Sequence, residues 1–99
     1  MKNFRTYNLA VEFYKKSQTL ALPRHLREQF SRASSSIALN LAEGAGKSSR
    51  TDVKRFYQIA FGSLRECQSI LDLVNKQDSE VSNSLDSLAA HLYKLIKAT

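Results

Sequence analysis

At 99 residues and 11.2 kDa, the chain is long enough to bury one hydrophobic core and too short to hold a second catalytic domain. Its composition is globular, 42% hydrophobic and 24% charged, and one Pro and three Gly leave too few breakers for the many short strands of a sandwich or barrel. The net charge of +6 is uneven: residues 1–55 hold eleven Lys and Arg against four Asp and Glu, whereas residues 56–99 hold four against five. This polarity fits an acidic partner such as nucleic acid, and equally a basic protein whose charge serves only solubility. No apolar run approaches the ~20 residues that span a bilayer, and no signal-type stretch follows the basic start MKNFR. A cytoplasmic protein with no membrane partner is expected. One cysteine, Cys67, and two distant histidines, His25 and His91, give neither an intramolecular disulfide nor a zinc-binding spacing, so no metal or cofactor is expected.

Taken in chain order, the first predicted helix covers residues 5–20, with Tyr7, Ala10, Val11 and Tyr14 on one side. The second carries a seam of Leu26, Phe30, Ala33, Ile37 and Asn40 with Leu41, with Pro23 in its first turn and Gly44 and Gly46 as its stop. A third helix is predicted to start near Ser49, with Asp52 three residues on in a weak capping-box arrangement. Its seam of Val53, Tyr57, Ala60, Leu64, Cys67, Leu71 and Val74 alternates spacings of four and three, a period that strands cannot use. The last helix, residues 79–97, repeats that spacing through Val81, Leu85, Leu88, Leu92 and Leu95, with Asp78 or Ser79 as N-cap. Four such stripes are buried together when the helices pack side by side. The expected fold is therefore all-α, an antiparallel up-down four-helix bundle forming one domain over residues 1–99.

Several apolar residues lie off these seams. At ~100° per residue, Ile59 and Phe61 fall on the two flanks of the third helix, Leu73 and Gly62 fall near its outer side, and Leu39 falls on the outer side of the second. A lone bundle leaves them in water, so Leu39, Ile59, Phe61, Gly62 and Leu73 are the expected contacts of a homo-oligomer; scattered surface apolar residues are the alternative. Gly62 costs roughly 1 kcal/mol inside a helix relative to Ala, which close approach by another helix would explain.

The antiparallel order gathers Lys2, Arg5, Lys47, Arg50, Lys54, Arg55, Lys94 and Lys97 at one end against only Glu43 and Asp52. Lys94 and Lys97 suit a helix C-terminus. Lys47, Arg50, Lys54 and Arg55 instead crowd an N-terminus, where the macrodipole disfavours cations. That placement invites a phosphate held by Arg50, Lys54 and the free N–H groups beyond Ser48 and Ser49, or else is a solvated basic loop. Lys2, Arg5, Lys47, Arg50, Lys54 and Arg55 are the expected nucleic-acid contacts. Because only Phe4 and Tyr7 offer rings nearby, the expected binding is through phosphates, without base specificity.

No catalytic constellation is legible. Gly44-Ala45-Gly46-Lys47-Ser48 imitates the end of a phosphate-binding loop, but Leu41 stands where its first Gly belongs and a helix precedes it. Cys67 sits in a seam as a small hydrophobe, and neither histidine has a carboxylate at a readable spacing. Asn40, in a seam, is expected to be buried, hydrogen-bonded and structural. Arg32 and Glu43 share a stripe of the second helix some 16 Å apart at ~1.5 Å per residue, so their direct partners are expected from other helices or subunits.

Arg32-Ala33-Ser34-Ser35-Ser36-Ile37-Ala38-Leu39-Asn40-Leu41-Ala42-Glu43-Gly44 resembles the R-A-x-x-S-I-x-x-N-[IL]-A-E-G signature of the bundle proteins encoded in intervening sequences of bacterial large-subunit rRNA genes. Phe56, Ile59, Ala60, Gly62, Ser63, Leu64 and Glu66 resemble its second signature, F-x-x-I-A-x-G-S-L-x-E. With Leu26 and Gln29, the likeness spans residues 26 to 71. Before Leu26 the sequence departs from the pattern, because Arg24 and His25 follow Pro23 directly in a shorter turn. The resemblance implies a non-enzymatic homopentamer with a basic surface for RNA or DNA. A related branch, the accessory variability determinant of diversity-generating retroelements, partners a reverse transcriptase. Two functions follow as expectations: a nucleic-acid-binding accessory protein, or an oligomeric scaffold for a protein partner with incidental basic charge.

Overall fold

The computed structural model describes residues 3–77 and 79–99, which form four helices and no strand: α1 (Arg5–Ser17), α2 (Arg24–Ala45), α3 (Arg50–Leu73) and α4 (Glu80–Ala98). Side-chain hydroxyls set two of the starts. Ser49 Oγ accepts from the Asp52 N–H at 3.1 Å to open α3, and Ser79 Oγ accepts from the Ser82 N–H at 3.1 Å to open α4. Each satisfies an amide that has no carbonyl partner in a first turn. Asp78, the other N-cap candidate, lies outside the described residues.

Hydroxyls also end α1 three residues earlier than its pattern suggests. Ser17 Oγ donates to the Tyr14 carbonyl at 2.7 Å and Thr19 Oγ1 to the Lys16 carbonyl at 2.9 Å, drawing off acceptors of the last turn. The chain then extends to Pro23, which stands at the cap position of α2 with φ −54° and ψ 144°, just outside the helix. The buried face of α1 is Thr6, Ala10, Phe13 and Ser17, while Tyr7, Val11 and Tyr14 are half-buried at its edges. Two hydroxyl residues at the ends of that stripe hide it from a reading of apolar spacing.

The seams of the other helices pack as their spacing implies. Ile37, Leu41, Ala60, Leu64, Cys67, Leu88 and Leu92 are fully buried, and the Phe13 ring meets Phe30 edge-on at 6.1 Å between centroids. Each helix packs on two neighbours in the cycle α1, α2, α3, α4, giving a body of about 40 × 21 × 21 Å. Beyond α3, Asn75 takes a left-handed φ of 58° while the Lys76 N–H reaches back to the Leu71 carbonyl at 2.9 Å, turning the chain toward α4.

Gly44 does not stop α2. The helix continues to Ala45 and is capped by Gly46, so Gly44 is an interior helical residue. It lies against α3: a Cβ there would stand 2.9 Å from Tyr57 Cε1 and 3.0 Å from both Tyr57 Cδ1 and Phe56 Cβ. Gly62, by contrast, has no atom within 4 Å of the Cβ it lacks. The same substitution should therefore have opposite signs at the two sites. Gly44→Ala is expected to lower the unfolding free energy by about 1–3 kcal/mol through overpacking, and Gly62→Ala to raise it by about 1 kcal/mol through helix propensity; urea titration reads both.

Burial, reinforced by the adjacent Glu66 carboxylate, pushes the Cys67 thiol up from 9.0 to about 12. Between those pH values the unfolded chain has lost the thiol proton and the native chain has kept it, so stability falls as pH rises through that window. Replacing Cys67 with Ala should flatten this fall; burial-raised Tyr57 steepens it equally in both proteins. Thiol labelling at mildly alkaline pH should follow global unfolding, with folded protein unreactive.

Candidate nucleic-acid interface

Contacts along the helices bring the basic segments together. The Phe4 ring, just before α1, lies 6.1 Å from the Tyr57 ring of α3, and Tyr57 rests on Gly44 near the end of α2. Thr99, after α4, lines one groove with Arg50, Thr51, Lys54, Arg55 and Gln58 of α3, an open depression of about 480 Å³. Arg5 is exposed beside Phe4. Lys2 lies outside the described residues.

The four cations around the start of α3 divide into two pairs. Lys47 Nζ lies 3.1 Å from Glu43 Oε2, and Arg55 Nε lies 3.7 Å from Asp52 Oδ1, so each has an acid of its own. Both also lie over the Phe56 ring, at 5.1 Å and 4.6 Å from its centroid. Arg50 and Lys54 are exposed and make no ion pair among the described residues. These two stand one turn apart on the wall of the groove, with charge available to an anion. The expected cradle of free amides is smaller than the sequence suggests, because the Asp52 N–H is already held by Ser49. A larger hollow of about 570 Å³ elsewhere has Glu28 beside Arg24 and Arg27 in its wall. Its mixed charge suits an anion less well.

Leu39, Ile59 and Leu73 stand 66%, 43% and 72% exposed in the single chain, while Phe61 is half-buried and Gly62 is exposed. Ile59 lies on a different face of α3 from Phe61 and Gly62. Ile59 is on the flank of α3 turned to α2, where Ser63, one turn on, brings its hydroxyl within 2.9 Å of Ser36. Phe61 and Gly62 line a separate groove of about 460 Å³ toward α4, with Gln58, Tyr93 and Ile96. Tyr93 is 55% exposed and carries Lys97 Nζ 5.6 Å from its ring centroid. Sequence reasoning passes over this ring because Tyr93 lies off the α4 seam. The available signals are its four-residue spacing from Lys97 and the neighbouring Ile96.

Leu41 takes the fully buried place in the α2 seam, and Asn40 beside it is half-buried. Asn40 Nδ2 donates to both the carbonyl and Oγ of Ser36 at 2.9 Å, which ties it into the Ser36 to Ser63 contact between helices. In the single chain Arg32 and Glu43 each find a partner close by in the sequence rather than on another helix. Arg32 pairs with Glu28 at 3.4 Å and Glu43 with Lys47, each four residues away.

Cys67 is fully buried with its thiol held neutral, His25 is exposed, and His91 Nδ1 lies 2.9 Å from the Ser87 carbonyl. None of these is arranged as a nucleophile or a base. Among the described residues no three His, Cys, Asp or Glu side chains are grouped to hold a metal, and no helix is long and apolar enough to cross a membrane.

A sequence model of the family described as 23S rRNA-intervening sequence protein matches residues 4–99. The match takes in all four helices and the short turn at Pro23, well beyond the two motifs in α2 and α3. No curated protein matches the chain. With nearly its whole length matched and four helices packed around one core, the chain belongs to the 23S rRNA-intervening sequence protein family.

Proposed function

We propose that this protein is a non-enzymatic accessory protein of the cytoplasm that binds RNA or DNA through the basic end of its bundle. The observation that carries this reading is the pair Arg50 and Lys54, exposed, without acidic partners among the described residues, on the wall of an open groove at the start of α3. Arg5, Lys47 and Arg55 add to the positive field there, and the last two hold their ammonium and guanidinium groups in place through Phe56. Phosphate contacts of this kind fix no sequence by themselves.

The reading includes an antiparallel up-down order of the helices in one domain, and assembly into a homo-oligomer through Leu39, Ile59 and Leu73. Their exposure in the single chain supports self-association, and five is the subunit number that the resemblance implies. Assembly would repeat the basic end around a symmetry axis and multiply the long-range attraction for a polyanion.

Two measurements test this reading. Binding of mixed-sequence RNA and duplex DNA across a salt series should weaken steeply as salt rises. Changing Lys47, Arg50, Lys54 and Arg55 together to Gln should flatten the log–log slope by about 0.9 for each duplex phosphate that the variant leaves unneutralised. An unchanged slope in a folded variant favours the scaffold for a protein partner, with a reverse transcriptase as one candidate. Sedimentation should show an oligomer for the native protein and smaller species for Leu39→Glu with Ile59→Glu. A native monomer at micromolar concentration would remove the self-association.

A further inference from the structure

We propose that the groove between α3 and α4 takes one base of a single strand, stacked on Tyr93, with the adjoining phosphates on Arg50 and Lys54. This rests on the nucleic-acid reading above and adds the form of nucleic acid and the residue that recognises it.

The basic groove and the apolar groove are neighbours along the same pair of helices, since Gln58 lines both. Arg50, Lys54, Gln58 and Gly62 follow one another at four-residue spacing down one side of α3, about 6 Å per step. Going along that row, the surface passes from two unpaired cations to an amide and then to an apolar recess walled by Phe61, Tyr93 and Ile96. Gly62 keeps the recess open, with nothing within 4 Å of the missing Cβ. Lys97, over the Tyr93 ring, adds a third cation beside it.

A positively charged track leading to an exposed ring is the arrangement that holds single strands, because every base has a π-face while the phosphates supply the charge. A duplex keeps its bases stacked inside and would leave the recess unfilled. An acidic amphipathic helix matches the charge but needs apolar anchors repeating over two turns or more. The recess is one turn long on each helix, from Gln58 to Gly62 and from Tyr93 to Ile96, which is room for a single ring. Thr51 and Gln58 also offer a hydroxyl and an amide to a sugar or base edge.

The test compares four labelled probes of equal length by anisotropy: oligouridylate, oligothymidylate, an abasic sugar-phosphate strand, and a duplex. The native protein is expected to bind the two intact strands about tenfold more tightly than the abasic strand, the scale of one base–aromatic stack. Tyr93→Ala should abolish that ratio and leave duplex binding unchanged, while Tyr93→Phe should retain it. Gly62→Leu, which favours the helix and fills the recess, should act like Tyr93→Ala, and far-ultraviolet circular dichroism with sedimentation checks that both variants fold and assemble as the native protein does. A preference of the native protein for the intact strands that is lost in Tyr93→Ala supports the proposal, whichever of the two strands shows it. Equal binding of intact and abasic strands by the native protein, or an unchanged ratio in Tyr93→Ala, overturns the stacking site while leaving phosphate binding in place. An acidic amphipathic peptide that requires Tyr93 when the strands do not would overturn it in favour of a protein occupant. Failure of all four probes to bind overturns both this proposal and the nucleic-acid reading.

Discussion

The packing of α2 against α3 is the constraint on which the rest of the molecule depends. These are the two longest helices, and their shared flank is held at three levels: Gly44 under the Tyr57 ring, the Ser36 and Ser63 hydroxyls in mid-length, and Gln29 donating to Glu66 at 3.2 Å farther along. The middle level is polar but satisfied, with Asn40 donating into Ser36, so it adds direction without a stranded buried group. With α2 and α3 fixed, α1 and α4 need only bury one stripe each.

The same pairing explains the distribution of charge. Four cations fall within nine residues at the α2 to α3 junction, an arrangement that would repel itself if all four were unshielded. Two are tempered by local carboxylates and by the Phe56 ring, and two are left for solvent or a ligand. Exposed pairs of this kind contribute little to stability. Their effect is to hold Lys47 and Arg55 over the Phe56 ring, while Arg50 and Lys54 remain unpaired at the groove.

Helix content, the α3 and α4 seams and the start at Ser49 were legible because each is a local matter of spacing or of one hydroxyl reaching three residues on. What escaped depends on which helices become neighbours. Gly44 reads as a stop signal until Tyr57 is placed beside it, and Phe13 is missed on α1 because the stripe it belongs to begins and ends in hydroxyls. Tyr93 reads as a surface residue until Phe61 and Gly62 are set across from it. The basic residues of the site were legible from composition and dipole reasoning, whereas their local acids and the ring beside the groove were visible only once packing was known.

The absence of a side chain at Gly44 also makes slippage between α2 and α3 costly. Sliding α2 by one turn would bring either the Asn40 side chain or Ser48, in the segment beyond the helix, to the place where Tyr57 now meets bare backbone. Neither alternative fits a space in which one carbon is already too close. Competing alignments of the two helices are thereby disfavoured at a single point, and Lys47, just beyond α2, keeps its place over the Phe56 ring of α3.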